Sequence, residues 1–228
     1  MVVRIEPHTR RGILDRLELE LMRAKSIDVD EKLFIRVDGV SAIDYGVSKL
    51  LSHYEPYLKH LKKLHKYDGD LRDLMKTLIV ESIIADAFEK FENMLSYAGL
   101  DVNNVDKALN TVRNYLYGRA KMDIGPLARA YRKGYIPKSS LRTFRVALYL
   151  LGEAYGLPVL TILNILLSKK EATIDELLQY ATREQLYIVL GILKLIMRDK
   201  MIGYKYPGVT NIAPPFFNDL IGVVCIVR

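Results

Sequence analysis

Two helix-start signals only nine residues apart constrain this chain more than any other feature. Thr173 with Glu176, and Thr182 with Gln185, each form a capping box. In such a box the hydroxyl accepts from an orphan amide of the first turn, and the side chain three residues on reaches back. Starts this close leave room for one short helix, Ile174 to about Tyr180, and a tight turn around Ala181. A further helix is predicted from Arg183 to about Lys200. Upstream, Pro158 opens an apolar helix to Ser168, with Leu160, Leu163, Leu166 and Leu167 at helical spacing. Downstream, Met201 to Tyr206 reads as a strand, Pro207-Gly208 as a turn and Val209 to Ile212 as a return strand.

On a wheel of about 100° per residue, Arg183, Tyr187, Gly191, Lys194 and Arg198 share one arc of roughly 80°. The rest of the circumference carries Leu186, Ile188, Val189, Leu190, Ile192, Leu193, Leu195, Ile196 and Met197. A basic stripe with one aromatic suits a helix laid in a major groove. A glycine inside it costs about 1 kcal/mol against alanine, so Gly191 is expected to admit a close partner. The competing reading is a helix buried on most of its circumference, its few charges merely solvated.

That order of elements resembles the winged helix-turn-helix family over residues 157–212, about a quarter of the chain. The resemblance implies that Thr182, Arg183 and Tyr187 approach base edges and that Lys194 and Arg198 grip phosphate. It also implies that Lys205 on the wing meets the minor groove or the backbone. A second resemblance is to kleisin subunits of condensin-like complexes, whose terminal winged helix serves protein contact. The apolar run Leu186 to Met197 is similar to theirs, but no kleisin N-terminal helical motif is found in residues 1–50.

The chain of 228 residues, half of them hydrophobic and with a net charge of +7, is expected to be folded and to favour a polyanionic partner. Two glutamines beside abundant Ile, Leu, Tyr, Lys and Arg hint at a thermophile, of archaeal, viral or plasmid origin. No apolar run reaches the ~20 residues of a membrane span. The start, Met-Val-Val-Arg-Ile-Glu, carries no apolar signal core, which predicts a cytoplasmic protein. The single cysteine, Cys225, excludes an internal disulfide and a multi-cysteine zinc site; its apolar surroundings predict a buried, inert thiol.

Residues 1–156 read as a helical domain. An amphipathic helix is expected over residues 9–24, built on Ile13, Leu14, Leu17 and Leu21. Leu33 to Val37 with Asp38-Gly39 reads as a strand and turn, covering an edge or pairing with a copy of itself. Asp28, Asp30 and Glu31 lack a calcium-loop glycine and distal Glu, so they read as a solvated acidic turn. Ser41 and Asp44 cap a helix running to Lys66, kinked or split at Pro56. Lys59, Lys62, Lys63 and Lys66 at its end complement the helix dipole or meet phosphate. Asp70 caps a long helix, Leu71 to about Tyr97, whose outer face is acidic at Glu81, Asp86, Glu89 and Glu92. Another helix spans Asn103 or Asn104 to about Tyr117.

From Ile124 to Gly152 no acidic residue occurs. Arg129, Arg132, Lys133, Lys138, Arg142 and Arg145 fall there, interleaved with Tyr131, Tyr135 and Phe144, with a turn at Gly134 to Ser139 and a helix from Ser140 to Tyr155. This block either grips phosphate, each neutralised phosphate releasing counterions, or complements the acidic long helix within the protein. Gly156-Leu157-Pro158 marks the boundary to the winged helix, 157–213, packed against the first part. The tail, 214–228, holds an apolar strand at Leu220 to Val227 that completes the wing sheet, pairs with residues 33–37 or crosses to a second subunit.

No phosphate loop, dinucleotide fingerprint, zincin helix or nucleophile elbow occurs. The four histidines specify no base or metal set, and Tyr131, Tyr135 and Tyr149 match no tyrosine-nucleophile spacing. The sequence therefore predicts a mainly α protein, a helical bundle packed on a C-terminal winged helix with a small β wing. No catalytic site, metal or cofactor is expected. The expected partner is double-stranded DNA, bound by a homodimeric regulator of transcription. The alternative is a chromosome-organising protein that docks another protein on its winged helix.

Overall fold

In the computed structural model, residues 5–30, 32, 34–136, 143–197, 202–206, 209–211 and 223–226 are described. Helix α1, Pro7–Arg23, buries Ile13, Leu14, Leu17 and Leu21, the set its spacing predicts. Three short strands follow: β1 Ile27–Val29, β2 Ile35–Val37 and β3 Val40–Ser41, antiparallel in the order β1-β2-β3. The pairing is thus within the chain. Asp38 and Gly39 both adopt positive φ, 49° and 84°, which the tight β2–β3 turn requires. The acidic stretch before β2 is a clasp: Asp30 accepts from the amides of Lys32 and Phe34 and pairs with Arg36 at 2.8 Å. Sequence reading missed β1, because three residues are too short to show alternation.

Ser41 caps α2, Ala42–Leu64, its hydroxyl accepting from the Asp44 amide at 3.1 Å. The helix runs through Pro56 as one element. Asp70 caps α3, Leu71–Tyr97, by accepting from the Asp73 amide. This longest helix is the axis of the bundle, burying Leu74, Met75, Leu78, Ile79, Ile83, Phe91 and Leu95 against α1, α2 and the helices that follow. Those are α4, Val105–Leu116, and α6, Thr143–Tyr155, with α5, Gly125–Arg132, between them in sequence and packed on the helix after α6.

The C-terminal part begins with α7, Val159–Lys169, then β4, Glu171–Thr173, α8, Ile174–Leu177, and α9, Arg183–Met197. Both threonines cap their helices, and the reciprocal bond of a full capping box is seen at the second. Thr173 accepts from the Glu176 amide at 3.1 Å, and Thr182 and Gln185 bond reciprocally at 3.3 and 3.0 Å. Strands β5, Ile202–Tyr206, β6, Val209–Asn211, and β7, Val223–Ile226, join β4 in the order β4-β7-β5-β6. The sheet is antiparallel, with Glu171 opposite Cys225 and Lys205 opposite Val223. The apolar strand read as part of a separate tail is therefore a central strand of the wing sheet. Its Val224 is fully buried, whereas the polar Val-Thr-Asn of β6 takes the edge. The molecule is a helical bundle packed on a winged-helix-like unit, as the sequence predicts.

The two parts are joined at a bend of 114° between α6 and α7. A Cβ on Gly152 would stand 2.8 Å from a methyl of Ile192 on α9 and 2.9 Å from one of Val159 on α7, so any larger residue would push these side chains aside where the three helices meet. One residue on, the Glu153 carboxylate accepts from the Leu160 amide in the first turn of α7, whose N-cap is a proline with no side-chain acceptor to offer. Burial lifts the Glu153 carboxyl above its ordinary range, against the pull of the Leu160 and Val159 amides. No single described helix is long and apolar enough to cross a membrane. The α6–α7 pair is apolar enough only when taken together, across the bend.

Two outcomes follow from this junction. Gly152→Ala forces an overpacked contact and should destabilise the chain by about 1–3 kcal/mol, read by urea denaturation. Glu153, with its raised carboxyl, binds more protons folded than unfolded above its ordinary value of 4.5. Its contribution favours folding at low pH and is lost as pH rises through the folded value. Glu153→Gln keeps an acceptor without the charge, so its stability relative to the parent should rise between about pH 4 and pH 8.

Candidate nucleic-acid interface

Helix α9 is sealed on one side. Leu186, Ile188, Val189, Leu190, Ile192, Leu193, Ile196 and Met197 are buried, facing α6, α7 and α3. The remaining arc carries Arg183, Tyr187, Gly191 and Lys194, all half-buried, with Leu195 beside them 40% exposed. Thr182 at the N-terminal end is exposed.

The middle of this arc is less open than a groove-reading helix needs. A Cβ on Gly191 would lie 3.6 Å from the sulfur of Met94 on α3, so the close neighbour that the glycine admits is the protein's own bundle. Tyr187 packs partly on the core, and Arg183, Tyr187 and Lys194 each interact within the chain. Arg198 lies outside the described residues. Lys205 sits on β5, opposite Thr210 of β6 and Val223 of β7.

The described residues of the basic block do not all make contact with one element. Arg129 on α5 is exposed and donates to the Asn164 side-chain oxygen on α7 at 2.6 Å. Lys133, also exposed, donates to the Leu167 carbonyl in the last turn of α7 at 3.4 Å, and Arg132 stands exposed between them in sequence. Arg145 on α6 donates instead to the Leu195 carbonyl of α9 at 3.2 Å. Lys138 and Arg142 lie outside the described residues. Cations at helix C-terminal carbonyls are favourable in themselves, so part of the block serves the fold.

The other half of the expectation, that this block neutralises the acidic long helix, is not what the described contacts show. The α3 carboxylates take other cations: Glu81 pairs with Arg113 at 2.7 Å, Asp86 with Lys90 at 2.5 Å and Glu89 with Arg10 at 2.7 Å. At the end of α2, Lys59 pairs with Glu55, and Lys62 donates to the Gly69 carbonyl. Sequence reading overlooked Lys169 and Lys170, exposed at the end of α7, the helix that Arg129 and Lys133 clasp. Lys169 pairs with Glu176 at 2.5 Å, and Lys170 takes a left-handed cap, φ 66°. Adjacent lysines at a predicted helix end were the available signal.

Of the tyrosines near arginines, Tyr149 is fully buried and donates to the Asp123 carbonyl at 3.4 Å, and burial holds its hydroxyl far above the ordinary range. Tyr135 is buried and Tyr131 half-buried. Among the described residues, no group of three or more His, Cys, Asp or Glu side chains is placed to hold a metal.

Comparison with family models, with curated proteins and with solved structures finds no match for this chain.

Because Met94 lies at ordinary contact distance from Gly191, a methyl group fits there. Gly191→Ala should gain helix propensity, raising stability by about 0.5–1 kcal/mol in urea denaturation.

Proposed function

We propose that this chain is a winged-helix protein that binds duplex DNA and regulates transcription in the cytoplasm. The observation that carries the reading is the position of the α9 arc with Arg183, Tyr187 and Lys194. It is the side of that helix left half-open, within an order α7-β4-α8-α9-β5 whose sheet is closed by β7. Met94 covers the middle of the arc. Base contact therefore falls to its N-terminal end, Thr182 and Arg183, where the residues of a recognition helix meet base edges. Arg129 and Arg132 on α5 and Lys133 at its C-cap, with Lys169 and Lys170, add affinity without sequence preference. A homodimer provides paired half-sites. Leu19 and Met22, exposed three residues apart on α1, favour that helix as its contact.

A second reading rests on one specific feature. Gly191 under Met94, with Leu195 exposed beside it, gives α9 a mixed surface suited to docking another protein, as in the kleisin-like alternative.

The test is a mobility-shift titration with a random-sequence duplex pool at about 50 and 200 mM salt. Binding should weaken steeply as salt rises. Arg132→Ala should weaken all sequences alike, while Arg183→Ala should alter which sequences are selected, by about 1–3 kcal/mol at one base position. Gly191→Ala should leave DNA affinity unchanged. Absence of any salt-dependent shift removes the DNA reading, and a partner lost on Leu195→Asp supports the docking one.

A further inference from the structure

A cavity of about 260 Å³ lies between the β2–β3 hairpin, the first turn of α2 and the C-terminal end of α4, with Lys76 of α3 and Val146 of α6 also in its wall. It belongs to neither reading above. Its wall is largely apolar, formed by Phe34, Ile43, Tyr115, Leu116, Tyr117 and Val146. The Phe34 and Tyr115 rings stack at 5.2 Å with 27° between their planes, which presents flat aromatic surface at one side. Three cations, Lys32, Arg36 and Lys76, face it against one carboxylate, Asp44.

The charges decide the sign of an occupant. Asp44 is occupied: it accepts from the Ser41 hydroxyl at 2.6 Å and from Lys76 at 3.1 Å. Burial pushes its carboxyl up, but Ser41, Lys76 and Arg72 outweigh this and hold it below the ordinary range. Arg36 pairs with Asp30. Counting Asp30 and Arg72 with the lining, the described surroundings carry four cations against two carboxylates. The excess is divided, with Lys32 beside the Arg36–Asp30 pair at one end and Arg72 beside the Lys76–Asp44 pair at the other, while Leu116 and Val146 contribute an apolar wall.

We propose that this cavity binds a small organic anion with a flat apolar body, of the chemical class of an aromatic carboxylate. The carboxylate meets Lys32 and Arg36, and the ring lies along Phe34 and Tyr115 toward Val146. An apolar pocket with a few convergent polar groups is the usual form of a small-molecule site.

The experiment is calorimetric titration of the full chain with benzoate, benzamide and inorganic phosphate. Benzoate should bind, with the uncharged benzamide at least about tenfold weaker and phosphate not competing. Lys32→Gln, at an exposed position, should weaken benzoate about two- to fivefold while leaving the fold intact. Val146→Phe, which fills the apolar end, should abolish binding; its folding is checked by circular dichroism, and if it fails to fold the Lys32→Gln result decides. Absence of benzoate binding, equal affinity for benzamide, or unchanged affinity in Lys32→Gln overturns the proposal. Displacement of benzoate by phosphate overturns the apolar half of it.

Discussion

The bend between α6 and α7 is the constraint on which the rest of the structure depends. A glycine at 152 lets α6 touch α7 and α9 at once, and a carboxylate at 153 supplies the cap that α7 cannot provide for itself. These adjacent residues join the bundle to the winged-helix-like unit without a linker. Because α9 then leans on α6 and α3, the unit has no independent core. Its most apolar helix completes the hydrophobic interior of the whole chain.

This joining explains why α9 is so apolar. A small three-helix module needs one buried stripe on its third helix. Here the buried arc is wider, because one side packs on α7 within the winged-helix-like unit and another on α6 and α3 of the bundle. The polar residues are confined to what is left, and even there Met94 reaches over Gly191. The basic residues are shared out likewise. Arg129, Lys133 and Arg145 hold side-chain oxygens or helix-end carbonyls of α7 and α9, so the positive charge of the chain is partly structural.

Much of this was legible in the residues. The capping boxes at Thr173 and Thr182, the apolar spacing of α1 and α3, and the Asp38-Gly39 turn are local signals, and local physics fixes them. What was hidden depends on contacts distant in sequence. Nothing near Glu153 marks it as the cap of the next helix. Nothing at Gly191 distinguishes a glycine that faces DNA from one that faces Met94. The central place of β7 follows from pairing across residues 171–173 and 202–206, although its apolar run made completion of the wing sheet one of three options. The hairpin cavity draws on residues from 32 to 146 and had no sequence signature. The candidate interface was legible as a list of cations, and much less so as a surface, since which cations point outward is settled by packing.

The most direct test of the joined core is native-state hydrogen exchange across the chain. If α9 completes the interior of the bundle, its central amides, from Val189 to Leu193, exchange only through global unfolding, with the same opening free energy and denaturant dependence as those of α3 around Ile79 to Ile83. Exchange of the α9 amides at a distinctly lower opening free energy, with α3 still protected, would show that the winged-helix-like unit opens by itself and would contradict the account.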